Sequence, residues 1–262
     1  MANAPGDFIW YELMTPNADA SASFYEGLIG WKVGDQSDYR QIQAPDGEHV
    51  GGILPLTPEM QAGGARPVWL GYIYVADVDK TIEALTGAGG SVAMPARDMD
   101  GVGRMALVSD PDGAPFYIMT PIPPAARPDA ESTAFAKYAP AVGHCAWNEL
   151  VTDDPATADE FYRGLFGWTR GEAMEMGPMG TYQMYNHGDY GLGAMMKKPV
   201  EMPASLWAYY FRVPEIRAAA AYVTANGGQI AVGPMEIPGG EYVFQGFDPQ
   251  GALFSVIGVR GA

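Results

Sequence analysis

Residues 8–31 read FIWYELMTPNADASASFYEGLIGW, and residues 145–168 read CAWNELVTDDPATADEFYRGLFGW. The two stretches match at a constant offset of 137 residues. Trp10 falls on Trp147, Glu12 on Glu149, Phe24-Tyr25 on Phe161-Tyr162, and Gly30-Trp31 on Gly167-Trp168. Self-similarity at a fixed period marks a repeated structural unit. Each copy opens on alternating residues rich in aromatics, the pattern of a half-buried strand. Asn17 in one copy and Asp154-Pro155 in the other then supply helix-capping and first-turn residues. A helix of about ten residues carries the Phe-Tyr pair and stops at Gly30 or Gly167.

The repetition continues outward at an offset of 138. Trp69 matches Trp207, Gly89-Gly90 matches Gly227-Gly228, and Asp110-Pro111-Asp112-Gly113 matches Asp248-Pro249-Gln250-Gly251. A strand over 68–75 leads to a helix over 78–88 ended by the glycine pair. Three short strands follow each helix, with tight turns at Asp46-Gly47, at His187-Gly188 and at the two Asp-Pro-x-Gly sequences. The order βαβββ is thus written four times, an α+β class. The pattern predicts a first domain over 1–120 and a second over 142–262. Residues 121–141, with Pro121, Pro123, Pro124, Pro128 and Pro140, read as a linker.

Composition narrows the function. The 262 residues are 48% hydrophobic and 18% charged, which excludes a disordered chain. The net charge of -16, shared as -10 over residues 1–130 and -6 over 131–262, disfavours nucleic acid and anionic membrane as partners. The N-terminus lacks the basic and apolar regions of a signal peptide, and no apolar run is long enough to span a bilayer. A cytoplasmic protein is expected. One cysteine, Cys145, precludes an internal disulfide and a thiolate cluster. Gly87-Ala88-Gly89-Gly90 lacks the context of a phosphate loop.

The strand, the capping Asn17 or Asp154, the Phe-Tyr-x-Gly-Leu-x-Gly-Trp run, the Val75–Asp79 stretch and both Asp-Pro-x-Gly turns together resemble the vicinal-oxygen-chelate superfamily. This is the glyoxalase/bleomycin-resistance/dioxygenase group. The Trp-x-Glu-Leu-x-Thr signature at Trp10–Thr15 and Trp147–Thr152 is similar to a two-domain, glyoxalase-like subgroup. The resemblance implies curved mixed sheets, each forming a cup around a ligand cavity, with the fused pair acting as an intrachain pseudo-dimer. It also places metal ligands at fixed strand positions. Here those positions hold Trp10, Leu70 and Tyr117 in the first copy, and Trp147, Ala208 and Ser255 in the second. None is His, Asp or Glu, so no metal and no cofactor is expected.

Strand alternation gives the lining of the cups. Phe8, Trp10, Glu12 and Met14 share one face of the first strand, as do Cys145, Trp147, Glu149 and Val151 in its copy. Trp69 and Trp207 lie on faces expected under helices. The opposite faces, with Tyr72, Tyr117, Tyr210, Arg212 and Ser255, are expected to bind a ligand together with Trp10 and Trp147. Such an aromatic lining suits a small apolar or aromatic molecule. Glu12 and Glu149 are candidate general bases, since an inward carboxylate must be paired, hydrogen-bonded or protonated. Arg212 is a candidate partner for Glu149.

Two functions follow: a metal-free small-molecule-binding protein, or a cofactorless lyase or isomerase using Glu12 or Glu149. A metal-dependent glyoxalase or dioxygenase is a third. The three histidines, His49, His144 and His187, are expected at strand ends, away from one another. Cys145 is expected as a buried small residue rather than a nucleophile, and the methionines of 174–202 as core or adaptable surface.

Overall fold

The computed structural model describes residues 3–123, 127 and 129–261, so Pro124 and Pro128 of the expected linker lie outside the described residues. The first repeat runs β1 (Phe8–Thr15), α1 (Ala18–Ile29), β2 (Lys32–Val33), β3 (Arg40–Gln43), β4 (His49–Pro55), a short α2 (Pro58–Ala62), β5 (Val68–Tyr74), α3 (Val78–Gly87), β6 (Ser91–Met99), β7 (Gly103–Ser109) and β8 (Pro115–Pro121). The second runs β9 (Cys145–Thr152), α4 (Pro155–Phe166), β10 (Thr169–Glu175), β11 (Thr181–His187), β12 (Tyr190–Lys197), β13 (Leu206–Glu215), α5 (Ile216–Ala225), β14 (Gln229–Glu236), β15 (Tyr242–Phe247) and β16 (Leu253–Val259). The βαβββ order is present four times, and α2 is an addition that the sequence pattern did not predict.

Two eight-stranded mixed sheets result, ordered β2-β3-β4-β1-β5-β8-β7-β6 and β10-β11-β12-β9-β13-β16-β15-β14. β1 pairs parallel with β4, β5 with β8, β9 with β12 and β13 with β16, while the other registered pairs are antiparallel. Among the described residues no helix is long and apolar enough to cross a membrane.

The chain forms two compact units that do not follow the two halves of the sequence. Unit 1 holds residues 1–9, 71–132 and 148–207, and unit 2 holds 10–70, 133–147 and 208–262. The motifs explain this grouping. In unit 2 the Tyr25 hydroxyl donates to Asp248 Oδ2 at 3.1 Å and accepts from Trp69 Nε1 at 3.0 Å. In unit 1 Tyr162 donates to Asp110 Oδ2 at 3.2 Å and accepts from Trp207 Nε1 at 2.9 Å. The Phe-Tyr helix of each repeat therefore meets the Asp-Pro-x-Gly turn of the other. Both aspartates also accept backbone N–H groups of their own turns. Burial pushes the Asp110 carboxyl up to about 6 and raises that of Asp248.

The Gly-Trp ends of the motif have their own reasons. Gly30 and Gly167 take φ of 87° and 69°, left-handed caps that a side chain would strain. The following indoles are buried and hydrogen-bonded, Trp31 Nε1 to Gly143 O at 2.7 Å and Trp168 Nε1 to Gly6 O at 2.9 Å. Around them lie the aromatic cores: Phe8, Tyr162, Trp168 and Trp207 in unit 1, and Tyr11, Tyr25, Trp31, Trp69 and Phe211 in unit 2. In unit 2, Ala134 and Phe135 are buried, and the backbone of 134–136 pairs with Cys145.

Candidate functional site

Strand alternation holds on β13, where Trp207, Tyr209 and Phe211 enter aromatic cores and Tyr210 and Arg212 take the other face. It also separates Phe8 from Tyr11 on β1. Phe8 stacks with Trp168 in unit 1, whereas Tyr11, of opposite parity, packs against Tyr209 and Phe211 in unit 2. Phe8, expected to line a cup beside Trp10 and Glu12, instead fills the aromatic core of unit 1.

Within unit 2, the half-buried Trp10 donates its indole N–H to the Tyr39 hydroxyl at 2.7 Å. Tyr39 lies over Gly52, where a Cβ would come within 2.1 Å of that hydroxyl. Glu12, next on the same face of β1, is buried. Within unit 1, Glu149 is 7% exposed and accepts the Tyr182 O–H at 2.8 Å through Oε2. Tyr39 and Tyr182 are counterparts. Arg40 faces Ile53 in one sheet and Gln183 faces Met195 in the other, while Ile53 and Met195 face Leu13 and Leu150. Neither tyrosine was singled out from the sequence. The register of β3 and β11, not the fixed offset, relates them.

The positions expected to bind a ligand divide between the units. In unit 1, Tyr72 on β5 faces Tyr117 on β8, and their rings stack at 4.2 Å and 15°. In unit 2, Tyr210 on β13 faces Ser255 on β16. Gln245 on β15 also faces Ser255, and its Nε2 donates to the Tyr210 hydroxyl at 2.9 Å. Ser255 is fully buried, and its Oγ has no hydrogen-bond partner among the described residues. Arg212 gives both terminal nitrogens to Glu241, Nη2 to Oε2 at 3.0 Å and Nη1 to Oε1. This bidentate pair, rather than one with Glu149, occupies its fork, and it holds the Glu241 carboxyl below the usual range. Glu241 is a site residue that sequence reading missed. Its signal was the contrast between repeats, since Gly103 and Tyr74 stand at the positions of Glu241 and Arg212. Trp147 on β9 is half-buried.

Leu70 and Ala208 carry no donor atom, and Tyr117 and Ser255 carry only hydroxyls. Among the described residues no three His, Cys, Asp or Glu side chains come together to hold a metal. The histidines lie at strand ends, as expected, yet His144 is buried and His187 half-buried. In unit 2, His144 Nδ1 lies 2.5 Å from Thr133 O and Nε2 lies 2.9 Å from Asp46. In unit 1, His187 Nε2 lies 3.4 Å from Asp7, which also accepts the Tyr190 O–H at 2.6 Å. Cys145 is fully buried and gives its S–H to Trp147 O, and burial pushes the thiol up to about 12. That environment suits an inert thiol.

Away from these faces, an open groove of about 320 Å³ in unit 1 is lined by α3 and α4, with Val75, Ala84, Gly164 and Phe166 on its walls.

Paired βαβββ modules in tandem, building two eight-stranded mixed sheets, define a glyoxalase-like architecture. The model of the Glyoxalase/Bleomycin resistance protein/Dioxygenase superfamily matches residues 8–118 and 141–256, and the chain belongs to that superfamily. It is 34% identical over 254 residues to "Putative glyoxylase CFP32" of Mycobacterium bovis, covering 95% of this chain and 93% of that protein. It is 30% identical over 275 residues to the anthracycline biosynthesis protein DauV of Streptomyces sp. strain C5, covering 99% and 95%. The Mn(II)-bound glyoxalase of Novosphingobium aromaticivorans shares the fold, with a TM-score of 0.65, 17% identity, and coverage of 98% of this chain and 83% of that one.

Proposed function

We propose that this member of the superfamily binds a small apolar or aromatic molecule without a family-type metal. The observation that carries the reading is the Tyr72–Tyr117 stack. A buried ring pair fills the β8 position at which a metal ligand would stand in the first repeat. The other five positions, Trp10, Leu70, Trp147, Ala208 and Ser255, supply no imidazole or carboxylate. A divalent ion needs several such donors within about 2.0–2.6 Å, and these residues do not fit one. An aromatic ligand accords with the name of the Streptomyces relative. On this reading the domains are residues 1–120 and 142–262, paired within one chain. The protein works in the cytoplasm with small molecules rather than nucleic acid or membrane.

Metal analysis and calorimetry with aromatic probes test the proposal together. The expected result is saturable binding by protein that carries no stoichiometric metal. A stoichiometric metal whose removal abolishes binding or turnover would overturn it.

A second reading has its own support. Tyr182 O–H to Glu149 couples a buried carboxylate to a phenol, an arrangement able to take and return a proton. As a cofactorless lyase or isomerase, the protein would lose turnover in the Glu12→Gln, Glu149→Gln double variant while keeping its melting temperature. Retained turnover excludes this role for the two carboxylates.

A further inference from the structure

The face of β13, β16 and β15 in unit 2 carries polar chemistry that the equivalent face of β5, β8 and β7 lacks. Arg212 lies on the same face as Tyr210, since the intervening Phe211 packs into the core against Trp31 and Trp69. Ser255 and Gln245 stand opposite one another and beside Tyr210. Arg212 is nine-tenths buried and Ser255 is fully buried. Among the described residues two N–H or O–H groups on this face have no acceptor: Arg212 Nε and Ser255 Oγ. A buried donor without an acceptor is costly, and native structures keep few of them. Two on one face of neighbouring strands call for an oxygen supplied from outside the chain.

The charge on this face sets the nature of that oxygen. Glu241 already neutralises the guanidinium through both terminal nitrogens, while Nε has no acceptor among the described residues. A carboxylate arriving there would bring an uncompensated negative charge into a buried place. A carbonyl oxygen would not. It has two lone pairs and can accept from both donors at once. The surrounding side chains, Tyr210 and Ile257, are apolar or aromatic and suit the ring attached to that carbonyl.

We propose that Arg212 Nε and Ser255 Oγ form a two-donor site for a neutral carbonyl oxygen on an aromatic ligand, an aryl ketone or a quinone. Glu241 is its positioning residue. It holds the guanidinium so that Nε presents to the ligand, and it gives the site selectivity for neutral oxygen over carboxylate. This assignment rests on the proposed small-molecule-binding function and names the ligand class for it.

Three probes of similar size test it in the full chain, by NMR titration: acetophenone, benzoate and ethylbenzene. The wild type should prefer acetophenone to either of the others by about tenfold, the value of one hydrogen bond in a dry site. Ser255→Ala and Arg212→Lys should each remove that preference while ethylbenzene affinity stays constant. Glu241→Gln frees the guanidinium and should shift the preference toward benzoate by about tenfold or more. Thermal melting of each variant checks that it is folded. Should Arg212→Lys not fold, Ser255→Ala alone decides. Equal binding of acetophenone and ethylbenzene by the wild type, or unchanged acetophenone preference in Ser255→Ala, would overturn the assignment and leave the broader function standing. Binding of none of the three would count instead against that broader function.

Discussion

Tyr72 and Tyr117 of unit 1 occupy the same register positions as Tyr210 and Ser255 of unit 2, yet the two faces have diverged. One is closed by a pair of stacked rings. The other has a serine in place of the second ring, a tyrosine tied to Gln245, and a bidentate Arg212–Glu241 pair. The residues beneath have not diverged. Each unit keeps one Tyr–Asp–Trp chain, with Tyr162, Asp110 and Trp207 in one and Tyr25, Asp248 and Trp69 in the other, and all four distances agree within about 0.3 Å. Duplication has preserved what packs and hydrogen-bonds inside, and released the opposite face of the same strands. The carboxylate–histidine pairs lie between these extremes. Asp7 in unit 1 and His144 in unit 2 occupy equivalent positions, and each is half of an acid–histidine pair, with His187 and Asp46 respectively.

The preserved scaffold is broken most severely where strands approach too closely for a side chain. A Cβ on Gly193 would lie 1.9 Å from Asn148 O, and one on its counterpart Gly51 would lie 2.2 Å from Tyr11 O. Both clashes are with backbone, which cannot swing aside. Gly193→Ala and Gly51→Ala should each lower stability by about 3 kcal/mol in urea unfolding. One tolerated substitution would mean that the parallel pairs β1–β4 and β9–β12 are not equivalent.

Next in size is the effect of pH on the Tyr–Asp–Trp chains. The folded Asp110 carboxyl is raised by burial from 3.8 to about 6. The folded state therefore holds its proton where the unfolded state has lost it. Stability from this group is full below pH 4, falls as pH rises toward 6, and stays lost above. The change is about 2–3 kcal/mol. Asp248 acts in the same direction. Asp110→Asn has no such proton to lose. Its stability relative to wild type should improve by about 2 kcal/mol between pH 4 and pH 7, measured as a difference of unfolding curves. A difference independent of pH would show that folding leaves the Asp110 pKa unchanged.

How much of this could be read beforehand depends on the residue. The strands and helices of 8–31 and 145–168 were legible because caps, glycines and alternation agree with one another. The face of Arg212 was legible from parity. The crossed pairing was not, because Asp110 and Asp248 sit in nearly identical turns and nothing local to Tyr25 distinguishes them. Tyr39 and Tyr182 were hidden by length. β10 has seven residues where β2 has two, so the 137-residue offset no longer aligns the strands that follow. Phe8 was read as cup lining from its parity with Trp10, whereas its packing is decided by Trp168 and Trp207, far away in sequence. Glu241 was overlooked because it lies in a turn before β15, where charge ordinarily signals only solvent.

The smallest effect isolates one ring. α5 carries Tyr222 where α3 carries Ala84, and the helices they face carry Gly27 and Gly164. In unit 2 a Cβ on Gly27 would meet the Tyr222 hydroxyl at 2.0 Å, so the ring fills that space. In unit 1 a Cβ on Gly164 meets nothing within 4 Å, and the groove beside Ala84 stays open. Alanine favours a helix interior over glycine by about 1 kcal/mol, partly through the unfolded chain. Gly164→Ala should therefore stabilise by about 0.5–1 kcal/mol. Gly27→Ala has the same propensity gain, but it must push the Tyr222 ring off its seat and break the O–H bond to Ser23 O. It should gain nothing or lose a few tenths of a kcal/mol. The gap between the two variants, about 1 kcal/mol, measures the ring. In a Tyr222→Ala background the gap should close, because both glycines would then face the same empty groove.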